Sequence, residues 1–168
     1  MGCPAETIGY NAGVTDPQQQ IAETLSRSNR TAASAESLTG GNVSADLSAI
    51  EGASGWFLGG VVAYSEDVKF KLLDVEPGPV INARTAQQMA VGVARLLGAD
   101  FAVATTGVGG PGPQEELPQG TVYIAVTGPS GCATREYQFG GDPSEVVQRA
   151  TDQALEDLAQ AITAVSAT

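Results

Sequence analysis

The chain has 168 residues, 42% apolar and 16% charged, a balance that suits one globular domain with a real core and excludes a disordered chain. A formal net charge of −11 argues against nucleic acid or an anionic membrane as the main partner, because both demand basic surface, while a small anionic substrate could still be held locally. Histidine is absent, which removes every mechanism built on an imidazole base or a histidine-ligated metal. Cys3 and Cys132 are far apart and form no metal or redox motif, and lysine occurs only as Lys69 and Lys71. No stretch is long enough to span a membrane and no secretory leader is visible, so the expectation is a soluble, cytoplasmic protein.

Residues 1–15, rich in Gly, Pro and Asn, read as a flexible N-terminal segment, and residues 16–168 as the folded domain. Asp16-Pro17 is a helix start, and Ile21, Ala22 and Leu25 share one face of a helix over Pro17–Ser28. Residues 31–35 read as a short strand. The turn Ser34-Ala35-Glu36-Ser37-Leu38-Thr39-Gly40-Gly41 follows, and then a helix over 41–50 with Val43, Leu47 and Ile50 inward. Residues 56–64 form an apolar strand interrupted by Gly59-Gly60, and residues 65–73 a short helix with both lysines, broken by Pro77-Gly78-Pro79. Thr85 with Gln88 predicts a capping box for a helix with Met89, Val93 and Leu96 on its core face, stopped at Gly98.

Residues 101–106 are a strand apolar on both faces. A Gly/Pro-dense loop over 107–119 leads to strands at 120–127 and 133–139, antiparallel by their short connection through Gly128-Pro129-Ser130-Gly131. Asp142-Pro143-Ser144-Glu145 opens a last long helix, with Val147, Ala150, Ala154, Leu158, Ile162 and Val165 on one face. This order predicts an α/β fold: a single-domain, three-layer α/β/α sandwich on a mixed, mostly parallel sheet. Sites in such sheets lie beyond the C-terminal strand ends, where residues 37–41, 64–69 and 106–112 could meet.

Ser37 sits where a strand turns into a helix, and backbone N–H groups at a helix start can hold an anion. A bland capping role explains the turn equally well; a nucleophilic role needs a base, which without histidine must be a lysine or a carboxylate. Lys69 is the candidate base, with Lys71 as competitor on another side of the helix. Tyr64 closes a strand at the site edge, and Glu36 could position the lysine or cap the helix. The run Gly107-Val108-Gly109-Gly110-Pro111-Gly112 matches G-x-G-x-x-G, but no helix pattern follows, so it is not a dinucleotide fingerprint; it remains a plain loop or an anion cradle.

Taken together, Ala35-Glu36-Ser37-x-Thr39-Gly40-Gly41, Gly59-Gly60-Val61-Val62-x-Tyr64-Ser65, Lys69, Thr106-Gly107-Val108-x-Gly110-Pro111-Gly112 and Gly120-Thr121-Val122-Tyr123-Ile124-Ala125 occur in an order and spacing that resembles the C-terminal domain of the CinA competence/damage-inducible protein family. The likeness runs from Pro17 to the C-terminus. Stand-alone members are nicotinamide-nucleotide amidohydrolases. The resemblance therefore implies deamidation of nicotinamide mononucleotide to nicotinic acid mononucleotide and ammonia, without metal or cofactor, by a homo-oligomer acting on a small nucleotide. It implies Ser37 as nucleophile, Lys69 as base and Tyr64 beside them. Glu36, Thr39, Gly40, Gly41, Thr106, Gly107, Gly110 and Gly112 are the implied substrate-binding residues, with Gly40-Gly41 amides holding the oxyanion.

Two departures qualify the match. Glu66-Asp67-Val68 stands where the family usually has Asn-Glu-Ala, and Pro143 and Val147 stand where it has arginines suited to phosphate. Arg149, Arg135 and Arg84 are the possible substitutes. A catalytically idle nucleotide-binding or interaction module, or a serine amidase for a phosphate-free amide, are the alternative readings.

Overall fold

A computed structural model describes residues 16–166, so the expected flexible segment 1–15 lies outside the described residues. The helices are α1 (Pro17–Ser28), α2 (Asn42–Ala49), α3 (Glu66–Leu73), α4 (Ala83–Leu97) and α5 (Pro143–Ser166). The strands are β1 (Ala32–Glu36), β2 (Phe57–Val62), β3 (Phe101–Gly107), β4 (Thr121–Gly128) and β5 (Gly131–Gln138). One sheet runs in the order β2-β1-β3-β4-β5. β1 pairs in parallel with β2 and β3, and β4 and β5 extend the sheet antiparallel. Helices cover both faces, as expected for an α/β/α sandwich, and none of the described helices is long and apolar enough to cross a membrane.

The sheet's two faces differ in side-chain size. Phe101, Val103, Ile124 and Val126 meet α5, with α1 and α2 completing that layer. The opposite face is nearly all alanine, Ala33, Ala35, Ala102, Ala104 and Ala125, which leaves room for α4 to lie close with Ala86, Met89, Ala90 and Val93. Gly92 completes that contact, since a Cβ there would stand 2.2 Å from the Leu73 carbonyl oxygen of the neighbouring α3 end.

Three local expectations are corrected. Helix α4 starts earlier than the Thr85 capping box: Asn82 is its N-cap, accepting from the Thr85 amide, and Thr85 is buried inside the first turn. Leu96 is 46% exposed, because the inward stripe follows Ala86, Met89, Ala90 and Val93 instead. The start of α5 falls where expected, and it closes as a capping box, with Asp142 accepting from the Glu145 amide and Glu145 from the Asp142 amide. Its core stripe passes through Val146 rather than Val147, then Ala150, Ala154, Leu158 and Ile162. That one-residue offset turns Val147 toward the site.

Candidate active site

The parallel strands β2, β1 and β3 end side by side, with Glu36 opposite both Val62 and Thr105. Ser37 follows directly, and its amide extends the ladder by donating to the Thr105 carbonyl at 3.0 Å. Beyond it the chain folds back through Gly40 and Gly41, both at positive φ, into α2. Glu36 is 0% exposed and its carboxylate serves as the cap that Gly41 lacks. Oε2 accepts from the amides of Gly41 and Val43 and from the Thr39 hydroxyl, at 3.0, 3.0 and 2.7 Å. Oε1 accepts from the Ser44 amide and hydroxyl at 2.8 and 2.6 Å. The anion at the positive end of α2 is thus part of the protein itself.

This changes the expected roles of four residues. Glu36 caps the helix, one of the two roles the sequence left open to it, and its carboxylate bonds Thr39, Gly41, Val43 and Ser44 rather than Lys69. Thr39 is buried between Glu36 and the Thr105 hydroxyl; since it spends its proton on Glu36, it accepts from Thr105 at 2.8 Å. The Gly41 amide is taken by Glu36, and the Gly40 amide donates to the Ser37 carbonyl at 3.1 Å, so neither is available for an oxyanion.

Lys69 lies in the second turn of α3, which starts at the N-cap Ser65. Its side chain is 1% exposed, and Nζ donates one hydrogen bond, to the Tyr64 carbonyl at 3.2 Å. Burial lowers its proton affinity, and the nearby charges of Glu66 and Glu115 partly restore it. Lys71, the competitor, points to solvent and pairs with Asp67 at 2.7 Å. The acidic run before the base is therefore divided: Glu66 faces the site and Asp67 faces away.

Ser37 and Lys69 line one cavity of about 180 Å³ with Tyr64, Thr106, Gly107 and Gly110. No direct hydrogen bond joins Ser37 to Lys69. Tyr64 is 72% exposed at the cavity rim. Thr106 faces the cavity but commits its hydroxyl to the Val80 carbonyl at 2.8 Å. Gly112 lies outside, its amide on Gln119 Oε1. The sequence reading missed Val80, Ile81 and Gln114, which complete the wall; the only trace of the first two was an apolar pair between a Pro-Gly-Pro break and a helix start. The loop from Gly107 closes without a helix, as expected when the dinucleotide fingerprint was set aside.

Pro143 and Val147 form the cavity's α5 side. None of the candidate arginines lines it: Arg84 pairs with Glu76 and Arg135 with the buried Asp157, while Arg149 is exposed on α5. Lys69 is the one cationic side chain in this cavity among the described residues.

The fold and site define a class: a small α/β domain that places a buried lysine and a serine on one cavity at the C-terminal ends of parallel strands. Residues 14–162 match the family model of the CinA C-terminal domain. The chain belongs to that family. It is 43% identical over 131 residues to a CinA-like protein of Frankia casuarinae, covering 75% of this chain and 30% of the relative. A CinA-like protein of Synechococcus sp. strain RCC307 is 44% identical over 126 residues, covering 71% and 30%. The chain thus spans about a third of the length of these curated relatives. The crystal structure of a CinA superfamily protein from Enterobacter cloacae superposes with a TM-score of 0.86 at 26% identity, over 95% of this chain and 99% of that one. CihA from Agrobacterium tumefaciens gives 0.81 at 30% identity, over 92% and 99%.

Proposed function

We propose that the domain is an amidohydrolase in which Ser37 attacks a carboxamide carbon and Lys69 is the base. The observation that carries this reading is the pairing, in one cavity of a histidine-free chain, of a serine with a buried lysine that has a single hydrogen bond among the described residues. A lysine so placed is easier to deprotonate than one in water, and only its neutral form can take the serine proton. Lys69 would then return that proton to the departing ammonia, and water would release the acyl group from Ser37. With the Gly40 and Gly41 amides occupied, the amide after the nucleophile, that of Leu38, is the one this reading assigns to the oxyanion.

The substrate that the family resemblance implies is nicotinamide mononucleotide, giving nicotinic acid mononucleotide and ammonia. The absence of an arginine from the α5 side favours a second reading, a phosphate-free carboxamide, since Pro143 and Val147 offer apolar contact and no cation. One assay separates the two. Ammonia release is measured from nicotinamide mononucleotide and from its dephosphorylated riboside, for wild type, Ser37→Ala and Lys69→Ala. A preference for the nucleotide supports the first reading and a preference for the riboside the second. Activity retained in Ser37→Ala removes the mechanism, and nucleotide binding without ammonia leaves the idle module.

A further inference from the structure

The loop between β3 and β4 contains a turn that its residues do not favour. Glu115 and Glu116 both have positive φ, 50° and 63°, between Gln114 and Leu117, whose backbones bond each other in both directions at 3.0 and 2.9 Å. Such a two-residue turn ordinarily takes Asn or Gly at its centre, and non-glycine residues there carry conformational cost. What holds Glu115 in place is its carboxylate. Oε1 accepts from the Val80 amide and Oε2 from the Ile81 amide, each at 2.9 Å. The next carbonyl contact on the same segment is the Thr106 hydroxyl on Val80. Val80 is thereby held at both its amide and its carbonyl and Ile81 at its amide, and both belong to the cavity wall shared with Lys69.

We infer that Glu115 is a positioning residue for Lys69: its carboxylate fixes the part of the cavity wall, Val80 and Ile81, that the lysine shares. The inference builds on the reading of Lys69 as base, but its physical content stands apart from turnover. The charged groups that bear on Lys69 are Glu66 from its own helix and Glu115 from the loop, together with the Tyr64 carbonyl. Asp67 and Lys71 pair with each other on the exposed side of α3. The two glutamates act with the same sign but through different structure, because Glu66 lines the cavity itself and makes no hydrogen bond to Val80 or Ile81.

Having only two lysines makes the test direct. Protein labelled with 13Cε-lysine gives two side-chain signals to titrate, and Lys69→Met assigns them. In Glu115→Gln the Lys69 midpoint falls below its wild-type position, and hydrogen exchange at the Val80 and Ile81 amides quickens by about tenfold or more. Glu66→Gln lowers the midpoint and leaves exchange at Val80 and Ile81 unchanged. Glu115→Asp keeps the charge on a shorter arm, so the midpoint stays near wild type while exchange quickens. If the enzyme turns over, the acid limb of kcat/KM moves to lower pH in both Gln variants, and KM rises only in Glu115→Gln. An unchanged Lys69 midpoint in Glu115→Gln, or unchanged exchange at Val80 and Ile81, overturns the inference. Absence of turnover alone would count against the amidase reading and leave the titration to decide this one.

Discussion

Two charged side chains are buried at the ends of the central strands, and the domain treats them in opposite ways. Glu36 is 0% exposed and takes five hydrogen bonds, three from the first amides of α2 and two from hydroxyls. Lys69 is 1% exposed and makes one, to a carbonyl. Burying a charge is costly unless its bonding capacity is filled. Glu36 is filled and belongs to the scaffold. Lys69 has one partner among the described residues, and burial weakens its hold on the proton, the property a base requires. Burial alone would not have separated the two; the count of partners does.

The largest test of this contrast removes the filled charge. Glu36→Ala removes the acceptor of three amides and two hydroxyls around a fully buried position, and urea unfolding should register a loss of about 3–5 kcal/mol, by analogy with broken buried pairs. Gly60→Ala attacks the same network from β2, because its Cβ would lie 2.0 Å from Ser44 Oγ and 2.4 Å from Ser34 Oγ. That overpacking should cost about 1–3 kcal/mol in the same measurement. If both variants unfold like wild type, Glu36 is not a structural charge.

Removing the singly bonded charge should do the reverse. Lys69→Met replaces it with an apolar chain of similar length, and stability at neutral pH should hold or rise by about 1 kcal/mol, while ammonia release falls by about 10²-fold or more. The pH dependence follows from the lowered proton affinity. Where folded and unfolded chains both hold the proton, the burial penalty is present. As pH rises through the lowered folded midpoint, the folded form releases its proton while the unfolded chain keeps it, so stability increases. The advantage of Lys69→Met over wild type should therefore shrink toward alkaline pH. The smallest effect belongs to Lys71→Ala: its exposed pair with Asp67 predicts a change within about 0.5 kcal/mol and unaltered activity.

Much of the scaffold was legible because its signals are local. The Asp16-Pro17 and Asp142-Pro143-Ser144-Glu145 starts, the Gly98 stop and the unbroken apolar run of β3 depend on neighbours a few residues away. The errors arose where two local choices were close. Asn82 and Thr85 are both good caps and both donate to the Pro79 carbonyl, but it is the Asn82 side chain that accepts from the amide of the first turn. Val146 and Val147 are identical side chains, so only the direction of α5 relative to the sheet decides which enters the core and which enters the cavity.

The sequence by itself determined the order of helices and strands, the absence of an imidazole base, and the short set of residues from which a serine site could be built. Tertiary structure alone decided how those residues are used. It committed Glu36, Thr39 and the Gly40–Gly41 amides to holding the turn, turned Lys69 inward and Lys71 outward, and brought Val80, Ile81 and Glu115 to the site. The physical reason is that a backbone conformation is chosen mainly by adjacent residues, whereas the worth of a buried charge depends on partners supplied by distant parts of the chain.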